Sequence, residues 1–122
     1  MTKSSAPATK TPPKSAELAA LEANAAAATR LMKLMASEPR LILLCRLAQG
    51  ECSVGEIATH AGLAQTAASQ HLAKLRAEGL VATRREGQTI HYRLIDPAAA
   101  RIIETLCKIF RDGDGALGSH GP

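Results

Sequence analysis

The stretch LAQTAASQHLAKLRAEGLVATRREGQTIHYRL, residues 63–94, decides the fold because it joins one helical pattern to two strand patterns. Ala68, Leu72 and Leu75 recur at spacings of four and three residues, which place their side chains on one face of a helix. Gly79 ends this helix, and the segments LVATRR and TIHYRL predict two short strands around a turn at residues 86–88. A helix followed directly by a hairpin is therefore expected.

Residues before this stretch predict three helices. Apolar residues at alternating spacings of three and four predict a first helix over residues 16–35. A second helix is expected to begin at Pro39 and to end at Gly50. The sequence SVGE places Ser53 and Glu56 as a capping box for a third helix. The side chains of the second helix that are expected to face inward are Leu41, Leu44, Cys45 and Ala48.

After the hairpin, Asp96 and Pro97 predict an N-cap and a first-turn proline for a last helix over residues 97–111. The expected order is ααααββα, a mainly α fold with a small β-hairpin, of the α+β class. A short third helix, a tight turn and a polar fourth helix form a helix-turn-helix, and the hairpin makes it winged. This winged helix-turn-helix domain is expected to cover residues 16–111, between flexible tails at 1–15 and 112–122.

The composition excludes several classes of protein. Three cysteines in 122 residues are too few for a secreted disulfide framework, and they favour the reducing cytoplasm. No run of about 18 apolar residues predicts a membrane span, and the N-terminus lacks the apolar core of a signal peptide. A formal net charge of +4 favours anionic partners. Only Tyr92 and Phe110 are aromatic, which disfavours base stacking on single strands.

The fourth helix has a polar face opposite its apolar stripe. In a helix-turn-helix, the N-terminal residues of the second helix reach base edges in the major groove of double-stranded DNA. Glutamine, serine and threonine can hydrogen-bond to bases there, and basic side chains bind phosphates. A merely solvated face is the alternative interpretation, but the basic hairpin beside the helix favours DNA. The residues expected to select bases are Gln65, Thr66, Ser69, Gln70 and His71, and those expected to hold the DNA backbone are Lys74, Arg84 and Arg85.

The segments SQHLAKLR, GLVATRRE and TIHYRL resemble the ArsR/SmtB family of winged-helix repressors, and the likeness covers roughly residues 25–111. Within the family, the chain is similar to the branch that contains the nodulation repressor NolR, the haemolysin regulator HlyU and the biofilm regulator BigR. The resemblance implies a homodimer that binds a palindromic operator and blocks transcription. It also implies a dimer interface formed by the first and last helices, where the apolar candidates are Leu18, Leu21, Met32, Ile102, Leu106 and Ile109. The family commonly has a serine where this chain has Ala64, so an N-cap hydroxyl is absent.

The resemblance also raises the question of a sensor site. Metal-binding relatives have a Cys-Val-Cys motif where residues 53–55 of this chain are Ser-Val-Gly, so no metal or other cofactor is expected. The HlyU and BigR branch implies a switch by thiol oxidation or persulfidation. Cys45 matches one family position, whereas Cys107 lies four residues before the other, which falls near Arg111. Free cysteines that act as small core residues are one alternative, and a constitutive repressor without an inducer is another.

A protein-interaction module with the same fold is the competing hypothesis. The scarcity of aromatic residues disfavours it, because interfaces are commonly anchored by Trp or Tyr. An enzyme is not expected, since Ser69 and His71 have no nucleophile elbow or positioned acid, and no phosphate loop or catalytic carboxylate pair is present. The sequence therefore predicts a DNA-binding transcriptional regulator without catalytic residues.

Overall fold

The computed structural model describes residues 14–113, a range that contains six helices and three short strands. The helices are α1 (Ser15–Ala23), α2 (Ala25–Met35), α3 (Glu38–Ala48), α4 (Val54–Ala61), α5 (Gln65–Ala77) and α6 (Pro97–Arg111). The strands are β1 (Cys52–Ser53), β2 (Val81–Glu86) and β3 (Thr89–Leu94). Of the predicted tails, residues 1–13 and 114–122 lie outside the described residues. No helix within residues 14–113 has both the length and the apolar character needed to cross a bilayer.

The predicted order of elements is confirmed with two additions. The helix expected over residues 16–35 is divided into α1 and α2 at Asn24, whose backbone has φ −112° and ψ 23°. The Asn24 side-chain amide donates to the Ala20 carbonyl at 2.8 Å, a local hydrogen bond of the kind that competes with continued helix. The second addition is β1, a two-residue strand that pairs with β3.

The boundary between two compact units falls between Met32 and Lys33, within α2. The second unit contains every element from α3 onward, and its core draws on each helix and on the sheet. The predicted inward face of α5 is confirmed, because Ala68, Leu72 and Leu75 are fully buried. The other buried residues of this core include Leu43, Leu44, Leu47, Ile57, Ala58, Val81, Tyr92, Ala99 and Ile103.

The inward face predicted for α3 is only partly correct. Leu44 is buried as expected, but Ala48 is exposed, and Leu41 and Cys45 are half-buried. The buried residues of this helix are Leu43, Leu44 and Leu47. The run LILLC at residues 41–45 is apolar around most of the helix, so its spacing alone does not distinguish the two possible faces.

The three strands form one antiparallel sheet in the order β1-β3-β2. Arg84 lies opposite His91, and the next pair along the ladder is Arg85 with Ile90. Because successive side chains of a strand point to opposite faces, Arg84 and Arg85 lie on different faces of the sheet. The face that carries Arg85 also carries Val81 and Tyr92. These two residues lie farther from the hairpin turn and are buried in the core.

The predicted helix caps of α4 and α6 are confirmed. The Ser53 hydroxyl accepts a hydrogen bond from the Glu56 amide at 3.2 Å, and the Glu56 carboxylate accepts one from the Ser53 amide at 3.0 Å. The Asp96 carboxylate accepts one from the Ala99 amide at 2.8 Å. Helix α5 begins after Ala64 without a side-chain cap, as its sequence predicts.

Candidate nucleic-acid interface

Helix α5 presents its polar side chains on the surface of the second unit. Its buried residues fix the helix against α4, to which it is joined through Gly62, a left-handed C-cap with φ 69°. Of the predicted DNA-contacting residues of α5, the exposed ones are Gln65, Thr66, Gln70 and Lys74, and the half-buried ones are Ser69 and His71. The structure therefore exposes four of the six predicted residues to solvent and leaves the other two half-buried.

A cleft of about 440 Å³ separates α5 and the start of α4 from the wing, which is the hairpin of β2 and β3. We call it the wing cleft, and its lining includes Ser53, Gly55, Gln65, Ser69, Thr89 and Tyr92. Ser69 and Gln65 thus belong both to the polar side of α5 and to this cleft. Tyr92 and Gly55 had no predicted role, although alternation along TIHYRL groups Tyr92 with Ile90 on one face.

Arg84 is bound to an acidic residue that sequence reasoning missed. Its Nε donates to both carboxylate oxygens of Glu51, at 2.8 and 3.0 Å, and its Nη2 lies 2.8 Å from Oε1. These hydrogen bonds from Arg84 lower the pKa of the Glu51 carboxyl, and they raise the pKa of the guanidinium in turn. Nothing in the pattern around Glu51 signals this role, because its partner is 33 residues away.

Arg85 differs from its neighbour because its exposed side chain forms no hydrogen bond or ion pair with any residue within 14–113. It lies on the face of the sheet opposite to Arg84. The acidic Glu86 at the wing tip approaches the other face, where its Oε1 is 3.5 Å from Arg84 Nη1 and 3.3 Å from His91 Nε2. Of the two adjacent arginines, Arg85 is therefore the one whose guanidinium is available to an external anion.

The two cysteines predicted as a possible switch line one cavity of about 560 Å³ between α3 and α6. Cys45 on α3 is half-buried and Cys107 on α6 is exposed, whereas Cys52 in β1 is buried. Burial raises the pKa of the Cys45 thiol, and the nearby Cys107 thiol raises it further. Leu47, Leu94 and Ile103 complete an apolar wall of this cavity.

The part of the chain that the structure describes holds no group of three or more His, Cys, Asp and Glu side chains that could bind a metal ion. The residues at positions 53–55 instead cap α4 and line the wing cleft.

Comparison with known proteins gives the family. The family model for bacterial regulatory proteins of the arsR family matches residues 37–83, which span the helix-turn-helix and the first part of the wing. The transcriptional activator HlyU of Vibrio cholerae is 47% identical over 90 residues, covering 74% of this chain and 83% of that protein. The biofilm growth-associated repressor of Agrobacterium fabrum is 47% identical over 93 residues, covering 76% of this chain and 80% of that protein.

A solved structure agrees with these relatives in fold. It is the homodimeric winged helix-turn-helix DNA-binding domain of a possible ArsR-family regulator from Mycobacterium bovis, determined by NMR. It superimposes with a TM-score of 0.62 at 37% identity, covering 89% of this chain and 95% of that one. The segment matched by the family model, residues 37–83, contains α4, the turn at Gly62 and α5. The chain belongs to the arsR family of bacterial regulatory proteins.

Proposed function

We propose that this protein is a cytoplasmic transcriptional repressor that binds a palindromic operator as a homodimer and has no catalytic activity. The observation that carries the proposal is the division of α5 into two faces. Ala68, Leu72 and Leu75 fix the helix in the core, while Gln70 is exposed on the opposite side and Gln65 is exposed at the helix start. Glutamine can pair with both the N6 and N7 positions of adenine in the major groove, so such a face can discriminate between bases.

The proposed division of labour follows the exposure of the side chains. Gln65, Thr66 and Gln70 select bases, with Ser69 and His71 at the edges of the same surface. The wing lies beside α5, and its cations would hold the adjacent phosphates. Such contacts supply affinity and register but no sequence information. Of the predicted backbone contacts, Lys74 and Arg85 are supported by their exposure, and Arg84 has an intramolecular partner instead.

The proposed homodimer is supported by apolar side chains on the helices at both ends of the described chain. On α1 and α2 the exposed ones are Leu18, Leu21 and Met32, and on α6 Phe110 is 62% exposed with Ile102, Leu106 and Ile109 half-buried. Large apolar surfaces that are left open are typical of interaction sites. The M. bovis relative is homodimeric. A two-fold dimer would present two copies of α5 to half-sites about one helical turn of DNA apart.

The proposed signal is oxidation or persulfidation of Cys45 and Cys107. Because the thiolate is the nucleophile, the raised pKa of Cys45 keeps that thiol protonated near neutral pH, and the exposed Cys107 is the one that meets a reagent first. A Cys107 thiolate that attacks an inorganic polysulfide gains one sulfur, and the shortened polysulfide leaves. Cys45 then loses its proton, and its thiolate attacks the inner sulfur of this persulfide, which forms a Cys45–Cys107 disulfide and releases hydrogen sulfide.

Selection from a random duplex library tests the DNA-binding proposal. Full-length protein is expected to enrich an imperfect palindrome, and Gln70→Ala is expected to reduce the preference for that duplex over a scrambled one. Gln49→Ala removes an exposed glutamine outside the helix-turn-helix and serves as the matched control. A protein that enriches no sequence, or that remains monomeric at the concentrations used for binding, contradicts the proposal and favours a protein-interaction module.

A further inference from the structure

The lining of the wing cleft combines hydroxyl and amide groups with the apolar side chains of Val54 and Ile90, and it contains no charged side chain. Ser69 and Thr89 contribute hydroxyls from opposite sides, and Gln65 contributes an amide. The cleft opens beside the exposed face of α5, since Gln65 and Ser69 take part in both. A group that enters it while α5 lies in the major groove would therefore come from the adjacent sugar-phosphate backbone.

Tyr92 is the first sign that the cleft has an external ligand. The residue is only 9% exposed, and it lies on β3 opposite Thr83 and Cys52. Its hydroxyl forms no hydrogen bond with any residue within 14–113. Buried hydroxyls in proteins are normally hydrogen-bonded, because an unmet donor loses its water without compensation. A hydrogen-bond acceptor that enters the cleft would supply the missing partner.

Gly55 is the second sign. Gly55 is the second residue of α4. Its φ is not positive, so the backbone conformation at this position does not require glycine. A Cβ atom built at this position meets no atom within 4 Å, so packing inside the protein does not require glycine either. Alanine is more favourable than glycine in a helix. The missing side chain leaves space at the cleft for close approach of an external group to the backbone.

The third sign is the chemistry of the helix start. The first amides of a helix lack intrahelical partners, and the helix dipole adds partial positive charge there. The Ser53 hydroxyl accepts a hydrogen bond from the Glu56 amide, and the Glu56 carboxylate accepts hydrogen bonds from the Ser53 amide and hydroxyl. Glu56 itself does not line the cleft. A helix start combined with hydroxyl donors is suited to an ionised phosphate group, because such a group accepts hydrogen bonds and has none to donate.

We propose that the wing cleft binds one phosphodiester group of the DNA duplex, with Tyr92, Ser69 and the start of α4 at Gly55 as its contacts. The inference rests on the function proposed above and adds a backbone-binding site that contains no lysine or arginine. Its role is to set the register of α5 along the groove. It therefore contributes affinity for any duplex rather than preference between sequences.

The test uses full-length protein, the duplex selected above and a random duplex. Tyr92→Phe removes only the hydroxyl, and Gly55→Ala adds one methyl group at the cleft. Each is expected to bind both duplexes about tenfold more weakly, Tyr92→Phe because it loses one charge-assisted hydrogen bond and Gly55→Ala because its methyl group blocks close approach to the backbone. Thr59→Val, which removes an exposed hydroxyl from the same helix outside the cleft, is expected to bind as wild type. Replacing single phosphates by neutral methylphosphonates should identify one position that weakens wild type but not Tyr92→Phe.

The outcomes separate this inference from the proposed function. If wild type binds no duplex, the proposed function fails first. If wild type binds and both variants match it at unchanged thermal stability, the cleft is not a phosphate site. If millimolar inorganic phosphate raises the melting temperature of wild type but not of Tyr92→Phe, while duplex affinities stay equal, the ligand is a free anion and the proposal is overturned. Should Tyr92→Phe fold poorly, Gly55→Ala decides, because alanine suits a helix.

Discussion

Arg84 of the wing binds Glu51 through two guanidinium nitrogens, with Nε and Nη2 each 2.8 Å from Oε1. Glu51 lies between the end of α3 and β1, so the pair ties the wing to the segment that leads into the helix-turn-helix. Glu86 adds a second carboxylate to the same guanidinium at 3.5 Å. The guanidinium of Arg84 is thus paired with carboxylates of the protein, whereas that of Arg85 has no such partner within residues 14–113. Two adjacent arginines that look equivalent in sequence have different surroundings.

This difference predicts unequal roles in DNA binding. Arg85→Ala is expected to weaken binding to all duplexes. It should also reduce the magnitude of the slope of log affinity against log salt by about one. Arg84→Ala is expected to leave that slope close to wild type, because its guanidinium is already paired with Glu51. Fluorescence anisotropy at a series of salt concentrations measures both slopes. An equal loss of slope in the two variants would mean that Arg84 exchanges Glu51 for a phosphate on binding.

The pair also predicts a dependence of stability on pH. Arg84 holds the pKa of the Glu51 carboxyl below the ordinary value of 4.5, so the ionised form is favoured in the folded state. The resulting stabilisation is complete above the ordinary pKa and is lost as the pH falls through the lowered one. Glu51→Gln should therefore unfold at lower denaturant than wild type at neutral pH, and the two midpoints should converge as the pH falls through the lowered pKa of Glu51. A gap that stays constant on acidification would show that the carboxylate charge is not the cause.

Helix α5 offers a stabilising substitution at its uncapped start. Ala64 has extended backbone dihedrals, φ −63° and ψ 148°, that suit an N-cap residue, but it has no hydroxyl to accept from the first turn. Ala64→Ser is expected to raise the free energy of unfolding by about 1 kcal/mol. Ala73→Ser adds the same hydroxyl at an exposed position within the helix, where no gain is expected. Denaturant unfolding of the two variants checks this, and equal effects would exclude capping as the cause.

Local signals predicted most of the fold. The spacing of Ala68, Leu72 and Leu75 gave the inward face of α5, and Ser53 and Asp96 marked helix starts that the structure confirms. These features depend on residues within one or two helical turns of each other, so a single sequence contains them. The division of the first helix at Asn24 coincides with a side-chain hydrogen bond to the Ala20 carbonyl, which an apolar repeat does not reveal.

The details of the candidate site depend on contacts between distant segments. Glu51 meets Arg84 only after β1 joins the sheet beside β3, and β1 is too short for a strand pattern. The wing cleft likewise forms between residues that are far apart in sequence, such as Gly55 and Tyr92. The type of the site was therefore predictable from α5 and the basic hairpin. The separate environments of Arg84 and Arg85 required the register of the strands.

The shared cavity of Cys45 and Cys107 predicts a thiol-dependent change in operator binding. The cavity lies between α3 and α6, and α6 carries apolar side chains proposed for the dimer. A bond between the two cysteines would shift α6 and so alter the spacing of the two α5 helices. Polysulfide or diamide treatment is expected to weaken operator binding by about 5- to 150-fold, the usual range for coupling between two sites. The intact mass should show loss of two hydrogens per chain after diamide.

Three cysteine variants make this test specific. Cys45→Ser and Cys107→Ser should bind the operator as reduced wild type does and should not respond to either reagent. Cys52→Ala is the matched control, because Cys52 is buried in β1 and does not line the cavity, so its response should equal that of wild type. Unchanged affinity of treated wild type, together with unmodified Cys45, would contradict the switch. The protein would then act as a constitutive repressor whose occupancy of the operator follows its own concentration.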